Sequence, residues 1–141
     1  MTRARAACIV FDGNAHVLLM HRLRQGQQYY VVPGGGVETE ETAPEACLRE
    51  LFEETSLRAT RLQLVSTDEN DDGARTDYFL VEDAEGEPRI GGPEAQRNSP
   101  TNQYELRWVA LHDLGIIPLR PDGAVAAITA AYARVQRSTG N

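Results

Sequence analysis

The sequence has only two cysteines, Cys8 and Cys47, in 141 residues, with no CxxC pair and no histidine partner pattern. Both thiols are therefore expected as small apolar residues in the core. No apolar run approaches the roughly 20 residues that a membrane-spanning helix needs, so no membrane partner is expected. The start, MTRARAACIVFDG, is basic, but its apolar stretch ends at Phe11. That is too short for a signal-peptide core and lacks a cleavage site, which makes the cytoplasm the expected location. Positive charge is short as well: 14 Lys plus Arg against 21 Asp plus Glu gives a net charge of -7. Such a balance argues against a nucleic-acid backbone held on a broad basic surface. A phosphate substrate would also be repelled unless a site built of carboxylates were first loaded with divalent metal.

What the chain does have is ordinary for a globular protein, with 41% hydrophobic and 25% charged residues. The length suits one core, so residues 1–141 are read as a single domain. Residues 4–11 and 16–22 are apolar runs separated by Asp12-Gly13-Asn14, which predicts a β-hairpin. Tyr29 to Val32 form a third β-rich run, stopped by Pro33-Gly34-Gly35-Gly36. A helix is predicted from Thr42 to about Thr55, then strands at 61–66, 76–82 and 104–109. A helical turn near His112–Leu114 and an Ala-rich helix over about 122–136 finish the pattern. The polar segment 83–103 is the longest predicted loop. Strands on both sides of a central helix, with a second helix at the end, predict an α/β/α sandwich around a mixed sheet.

The central helix is well signalled. Thr42 and Glu45 have capping-box spacing, and Pro44 falls in the first turn, where its missing N–H costs nothing. At about 100° per residue, Glu53 and Glu54 fall within about 60° on either side of Glu50, so three carboxylates share one face. Leu48, Leu51 and Phe52 fall opposite and are expected to pack on the sheet. Like charges at i and i+4 destabilise a helix by a few tenths of a kcal/mol. The macrodipole also disfavours anions near the C-terminus. A solvated acidic surface is one reading of this face. The other is a site for a hard divalent cation, since Mg²⁺ takes one or two carboxylates plus phosphate oxygens and water. The glycine turn just upstream would let backbone groups approach a metal or phosphate without interference from a Cβ.

The spacing Gly35, five residues, Glu41, seven residues, Arg49-Glu50-Leu51, one residue, Glu53-Glu54, one residue, Ser56-Leu57 resembles the Nudix box of the Nudix hydrolase family. Eight of its nine specified positions match; Ser56 stands where the family usually has glycine. The lead-in Pro33–Glu38 is also similar, with Glu40 replacing a common glycine before Glu41. The resemblance implies a Nudix-like α/β/α sandwich with a catalytic loop-helix-loop. It implies that Glu50, Glu53 and Glu54, with the Gly35 carbonyl, hold the metal, Mg²⁺ with Mn²⁺ as an alternative. It also implies that Glu41 and Arg49 pair to orient the cluster. The reaction implied is attack of water at phosphorus in a diphosphate linkage. The general base would be a glutamate of the box, with Glu53 first, or an acidic residue on a distant loop, here Glu94. The family glycine ends the helix with positive φ, so Ser56 would cost about 1 kcal/mol there.

The resemblance leaves the substrate open among nucleotides and related diphosphates, so a small nucleotide-like molecule is the expected partner. Gly34, Gly35 and Gly36 are candidate phosphate contacts. Arg22, Arg24 and His21 lie where they could meet phosphates. Tyr29, Tyr30, Tyr104 and Trp108 could stack on a base, although core or strand packing suits each of them too. Asn102 could contact substrate from the loop before Tyr104, and Tyr78 is no dependable marker of a dinucleoside-polyphosphate enzyme. A homodimer, as in many relatives, is also an open expectation. The alternative class is an idle Nudix domain that binds a nucleotide and regulates. Such domains usually lose a metal glutamate, and here all three are present.

Overall fold

A computed structural model describes residues 4–69, 73–90 and 99–139. Its elements are strands β1 (Ala4–Ile9), β2 (His16–Arg24), β3 (Gln27–Val31) and β4 (Gly34–Gly36), then helix α1 (Ala43–Thr55). Strands β5 (Leu62–Glu69), β6 (Arg75–Val81), β7 (Asn102–Ala110) and β8 (Leu119–Arg120) follow, and helix α2 (Ala124–Thr139) closes the series. A 3₁₀ turn, Leu111–Asp113, stands at the predicted helical turn. The strands form two mixed four-stranded sheets, ordered β4-β1-β6-β5 and β7-β2-β3-β8.

The sandwich follows from β1, whose ARAACI sequence has no polar alternation. Ala6, Cys8 and Val10 point into a core with Ala46, Cys47 and Leu51 of α1. Ala7 and Ile9 point into a second core with Ala124, Ala127, Ile128 and Ala131 of α2. Past the exposed Ala4 and Arg5, the stretch covered on both faces is apolar, as in a parallel-paired central strand. β1 indeed runs parallel to β6 and antiparallel to β4.

That pairing corrects the expected hairpin. β1 and β2 meet only around the Asp12–Asn14 turn, through a Phe11–Val17 bridge and the Leu18 N–H donating to the Val10 carbonyl. They then part into different sheets, because β4 and β6 occupy both edges of β1 while β3 and β7 occupy both edges of β2. The true hairpin joins β2 to β3 through Gln25 and Gly26, both with positive φ (51° and 82°). Two positive φ values give the primed turn whose twist suits paired strands. β4 and β8, a run of glycines and a two-residue strand, carry no periodic signal to predict them from. Within the predicted loop 83–103, Arg58 bridges Glu85 and Ser99 bridges Asn102; residues 91–98, and with them the Glu94 assignment, lie outside the described residues. No helix among the described residues is long and apolar enough to cross a membrane.

Candidate active site

Helix α1 begins with the predicted capping box: the Glu45 N–H donates to Thr42 Oγ1 at 3.2 Å, and the Thr42 N–H donates to Glu45 Oε1 at 2.9 Å. It ends at Ser56 in the left-handed region, φ 66°. The strain of a serine there is offset in part by its Oγ, which donates to the Arg89 carbonyl at 3.1 Å. Glu40, the other departure from the family glycines, is also left-handed, with φ 68°.

The buried face of the helix is rotated from the one its hydrophobic residues suggest. Ala46, Cys47, Leu51, Glu54 and Thr55 are buried, while Phe52 is 43% exposed and lies under the Arg58 guanidinium at 4.3 Å. Ala46 and Cys47 are small enough to bring the helix down onto β1. There Cys8 Sγ lies 2.9 Å from Cys47 Sγ, both thiols are fully buried, and burial pushes the Cys8 thiol up. Sequence spacing left these cysteines unrelated; the docking of α1 on β1 brings them together. The same rotation carries Glu54 into the packed face. The three glutamates therefore do not share one solvated side: Glu54 is buried, Glu50 lies at the margin and Glu53 is half-exposed.

A buried carboxylate needs a donor, and β4 supplies it: the Gly34 N–H donates to Glu54 Oε1 at 2.7 Å. Gly34 lies so close to β1 that a Cβ there would collide with the Ala6 carbonyl. At Gly35 a Cβ would stand 2.5 Å from the Glu50 carboxyl carbon and 2.6 and 2.7 Å from its oxygens. Glycine at 34 thus lets β4 lie close against β1, and glycine at 35 lets the Glu50 carboxylate rest on the strand backbone.

Arg49 organises the rest. Its Nε and Nη2 donate to the two oxygens of Glu41 at 2.8 and 3.0 Å, and Nη2 also donates to the Gly36 carbonyl at 2.9 Å. Its Nη1 reaches Glu50 Oε1 at 2.8 Å and Glu53 Oε2 at 3.3 Å. The forked pair with Glu41 uses the planar geometry that only a guanidinium offers. The Arg49 hydrogen bonds, followed by the Glu38 N–H, pull the Glu41 carboxyl down to about 2. Arg49 is in turn held protonated, chiefly by Glu41. Glu50 and Glu53 thus lie within 3.3 Å of one nitrogen. Among the described residues no three His, Cys, Asp or Glu groups already close round one metal position. The donor set is nonetheless all hard oxygen, the chemistry that a Mg²⁺-type cation takes.

Of the remaining candidates, Arg22 and Arg24 lie on β2, in the second sheet. Arg22, Tyr29 and Tyr104 are cross-strand partners on one face of the second sheet, the face of Leu18 and Leu106, which pack towards α1. Arg22 donates to the Tyr104 hydroxyl at 2.8 Å and approaches Asn102 Oδ1 at 3.5 Å. His21 turns to the other face, buried beside Tyr30 with its ring edge-on. Tyr78 is a core residue, and Trp108 is 40% exposed. Arg120 was not predicted. It joins the Arg22 face by parallel pairing of β8 with β3, opposite Val31, and a two-residue strand between prolines leaves no local signal for it.

A two-sided sandwich whose first helix sets clustered carboxylates over a glycine strand defines a Nudix domain. Residues 1–129 match the family described as NUDIX domain, and the chain belongs to that family. It is 37% identical over 81 residues to diphosphoinositol polyphosphate phosphohydrolase 2 of Rattus norvegicus, covering 56% of this chain and 45% of that protein. It is 33% identical over 123 residues to a Mycobacterium tuberculosis protein that bears the provisional name 8-oxo-dGTP diphosphatase 3, covering 82% of this chain and 54% of that one. The chain thus spans about half the length of the curated relatives it matches. The fold is similar to the crystal structure of a MutT NUDIX hydrolase from Burkholderia pseudomallei, with a TM-score of 0.73 at 24% identity, covering 92% of this chain and 98% of that one.

Proposed function

We propose that this chain is a Mg²⁺-dependent hydrolase that cleaves the diphosphate linkage of a small nucleotide-like substrate by attack of water at phosphorus. One observation carries the reading. Glu54 rests on the Gly34 N–H and Glu50 lies against Gly35, and Arg49 ties Glu41 and Glu53 to that same Glu50. Glu50, Glu53 and Glu54, with the Gly35 carbonyl, would hold the cation. When bound, it neutralises phosphate oxygens and lowers the pKa of water.

The residues divide the remaining work. The buried contact of Glu54 with Gly34 fixes the helix to the glycine strand. Glu41 fixes Arg49, and Arg49 restrains Glu50. Arg49 pairs with four carboxylates, of which Glu38, at 3.8 Å, lies outside the helix. Of the three it hydrogen-bonds, Glu53 has the longest contact and the greatest exposure. It is therefore the carboxylate freest to take the proton of an attacking water.

The test offers purified protein and Mg²⁺ a panel of nucleoside triphosphates (normal and oxidised), nucleotide sugars and diphosphoinositol polyphosphates, and follows phosphate products. Glu54→Gln runs alongside: glutamine keeps an oxygen for the Gly34 N–H but loses the charge. Turnover should fall by at least about 100-fold, from the loss of several kcal/mol of charge stabilisation. Nucleotide binding without turnover is the result expected of an idle regulator and sinks the hydrolase reading. Turnover indifferent to Glu54→Gln sinks it as well.

A further inference from the structure

All 14 of the chain's Lys-plus-Arg residues are arginine, and three of them share the α1-facing side of the second sheet. Arg22 stacks over the Tyr104 ring at 4.1 Å and stands 5.8 Å from the centre of Tyr29. Arg120 stacks over Tyr29 at 4.2 Å. A cavity of about 310 Å³ opens beside them, bordered by Arg24, Arg120, Tyr29, Gln25 and Gln27. Among the described residues, none of these three arginines forms a salt bridge with a carboxylate. In a protein of net charge -7, three guanidinium groups gathered without acidic partners are a feature to be explained.

The stacking decides what they can bind. Each tyrosine ring already carries a cation on a face, so the surface presents charge in place of a bare ring for a base. A guanidinium held over a ring can still present N–H donors at its edge, the arrangement that grips phosphate oxygens in pairs. Arg22, whose Nη2 already donates to Tyr104, serves instead as a neighbouring positive charge. The place is equally telling. Val31, the partner of Arg120, is three residues before Gly34, whose N–H holds Glu54. Three residues of extended chain span about 10 Å, the scale of a small phosphorylated ring.

We propose that Arg24 and Arg120, with Arg22 beside them, bind phosphate groups of the substrate other than the diphosphate being cleaved. The preferred substrate is then a small molecule that carries clustered phosphates. This specificity assignment rests on the hydrolase reading above, but its binding test does not. Inositol hexakisphosphate, which has clustered phosphates and no diphosphate to cleave, is titrated calorimetrically into the wild-type protein. Inorganic tripolyphosphate serves as the linear counterpart. Arg24→Ala/Arg120→Ala should weaken whichever of the two binds by at least about tenfold, since two charge-assisted contacts are lost. Both side chains are exposed, so the melting temperature should fall by no more than a few degrees, the loss of one exposed ring contact.

Arg137→Ala, which removes an exposed charge from the last turn of α2, should leave binding unchanged, and Arg120→Lys should recover part of it. Binding of the ring compound or of the chain compound identifies the source of the phosphates. Binding of neither, or equal loss in Arg137→Ala, overturns the proposal. Glu54→Gln should lower turnover by at least about 100-fold without weakening either ligand. If the wild-type protein hydrolyses nothing yet binds through Arg24 and Arg120, the hydrolase reading fails and the phosphate cradle stands. On hydrolysed substrates, the double variant should lose kcat/KM selectively for those bearing extra phosphates, and loss on all substrates alike counts against the cradle.

Discussion

The acidic cluster on α1 and the arginine face of β2, β3 and β8 carry opposite charge and are assembled by opposite means. The acidic cluster is local. Gly34 to Glu54 supply all of it, and helical spacing alone puts Glu50, Glu53 and Glu54 within two turns. The arginine face is not local: Arg22, Tyr29, Tyr104 and Arg120 come from four strands, joined by antiparallel and parallel registers across almost a hundred residues. The two also solve the cost of crowded charge differently. Carboxylates are held together by one shared cation, Arg49, and by a backbone N–H, whereas the arginines are separated by rings that each one covers. A cluster with an internal counter-charge should be fragile to loss of that one residue. A cluster spaced by aromatic rings should fail piecemeal.

The largest expected effect tests that fragility. Arg49→Ala should lower turnover by about 10–100-fold, the usual cost of losing a group that orients ligands. Arg49→Lys should not restore it, because an ammonium cannot fork onto Glu41 while reaching Glu50. Steady-state rates with a melting curve for each variant decide the matter, and full recovery with lysine would show that charge alone suffices. Next, Gly35→Ala should cost about tenfold in rate, because the new methyl drives the Glu50 carboxylate from its seat and small misplacements are expensive in catalysis. An unchanged rate would mean that Glu50 has no need of that seat.

Smaller effects are expected beside the acidic cluster and beyond it. Glu40→Gly should stabilise the fold by about 0.5–1 kcal/mol, the left-handed strain of a side chain less the added freedom of glycine when unfolded; the denaturant midpoint reads it, and a lower midpoint refutes it. The smallest concerns Asp83, which the Thr60 hydroxyl, the Arg61 N–H and the Thr60 N–H pull down to about 2 from its ordinary 3.8. A lowered carboxyl contributes stability above its unfolded value and loses it as pH falls through the folded one. The melting curves of wild type and Asp83→Asn should therefore separate above about pH 4 and converge towards pH 2. Parallel curves would remove Asp83 from the account.

Much of the fold was legible because its signals are short-range. The capping box, the glycine stop after Val32 and the apolar runs each depend on neighbours within a few residues. The hairpin was misassigned because an apolar run marks a strand but not its partner, and β1 had two other edges to fill. The face of α1 was misassigned for a related reason: hydrophobicity favoured Phe52, whereas close approach to β1 favoured small Ala46 and Cys47 and brought Glu54 inside. The Gly34 N–H gives that buried carboxylate a donor.

By itself, then, the sequence determined the family, the helix and the three glutamates, since helical periodicity and box spacing are properties of the chain alone. Tertiary structure alone decided that Glu54 is buried, that Cys8 and Cys47 touch, and that Arg120 joins Arg22 and Arg24. Each of these depends on strand register and on how closely α1 docks. Register and docking are set by packing summed over the whole core, so no local pattern carries them.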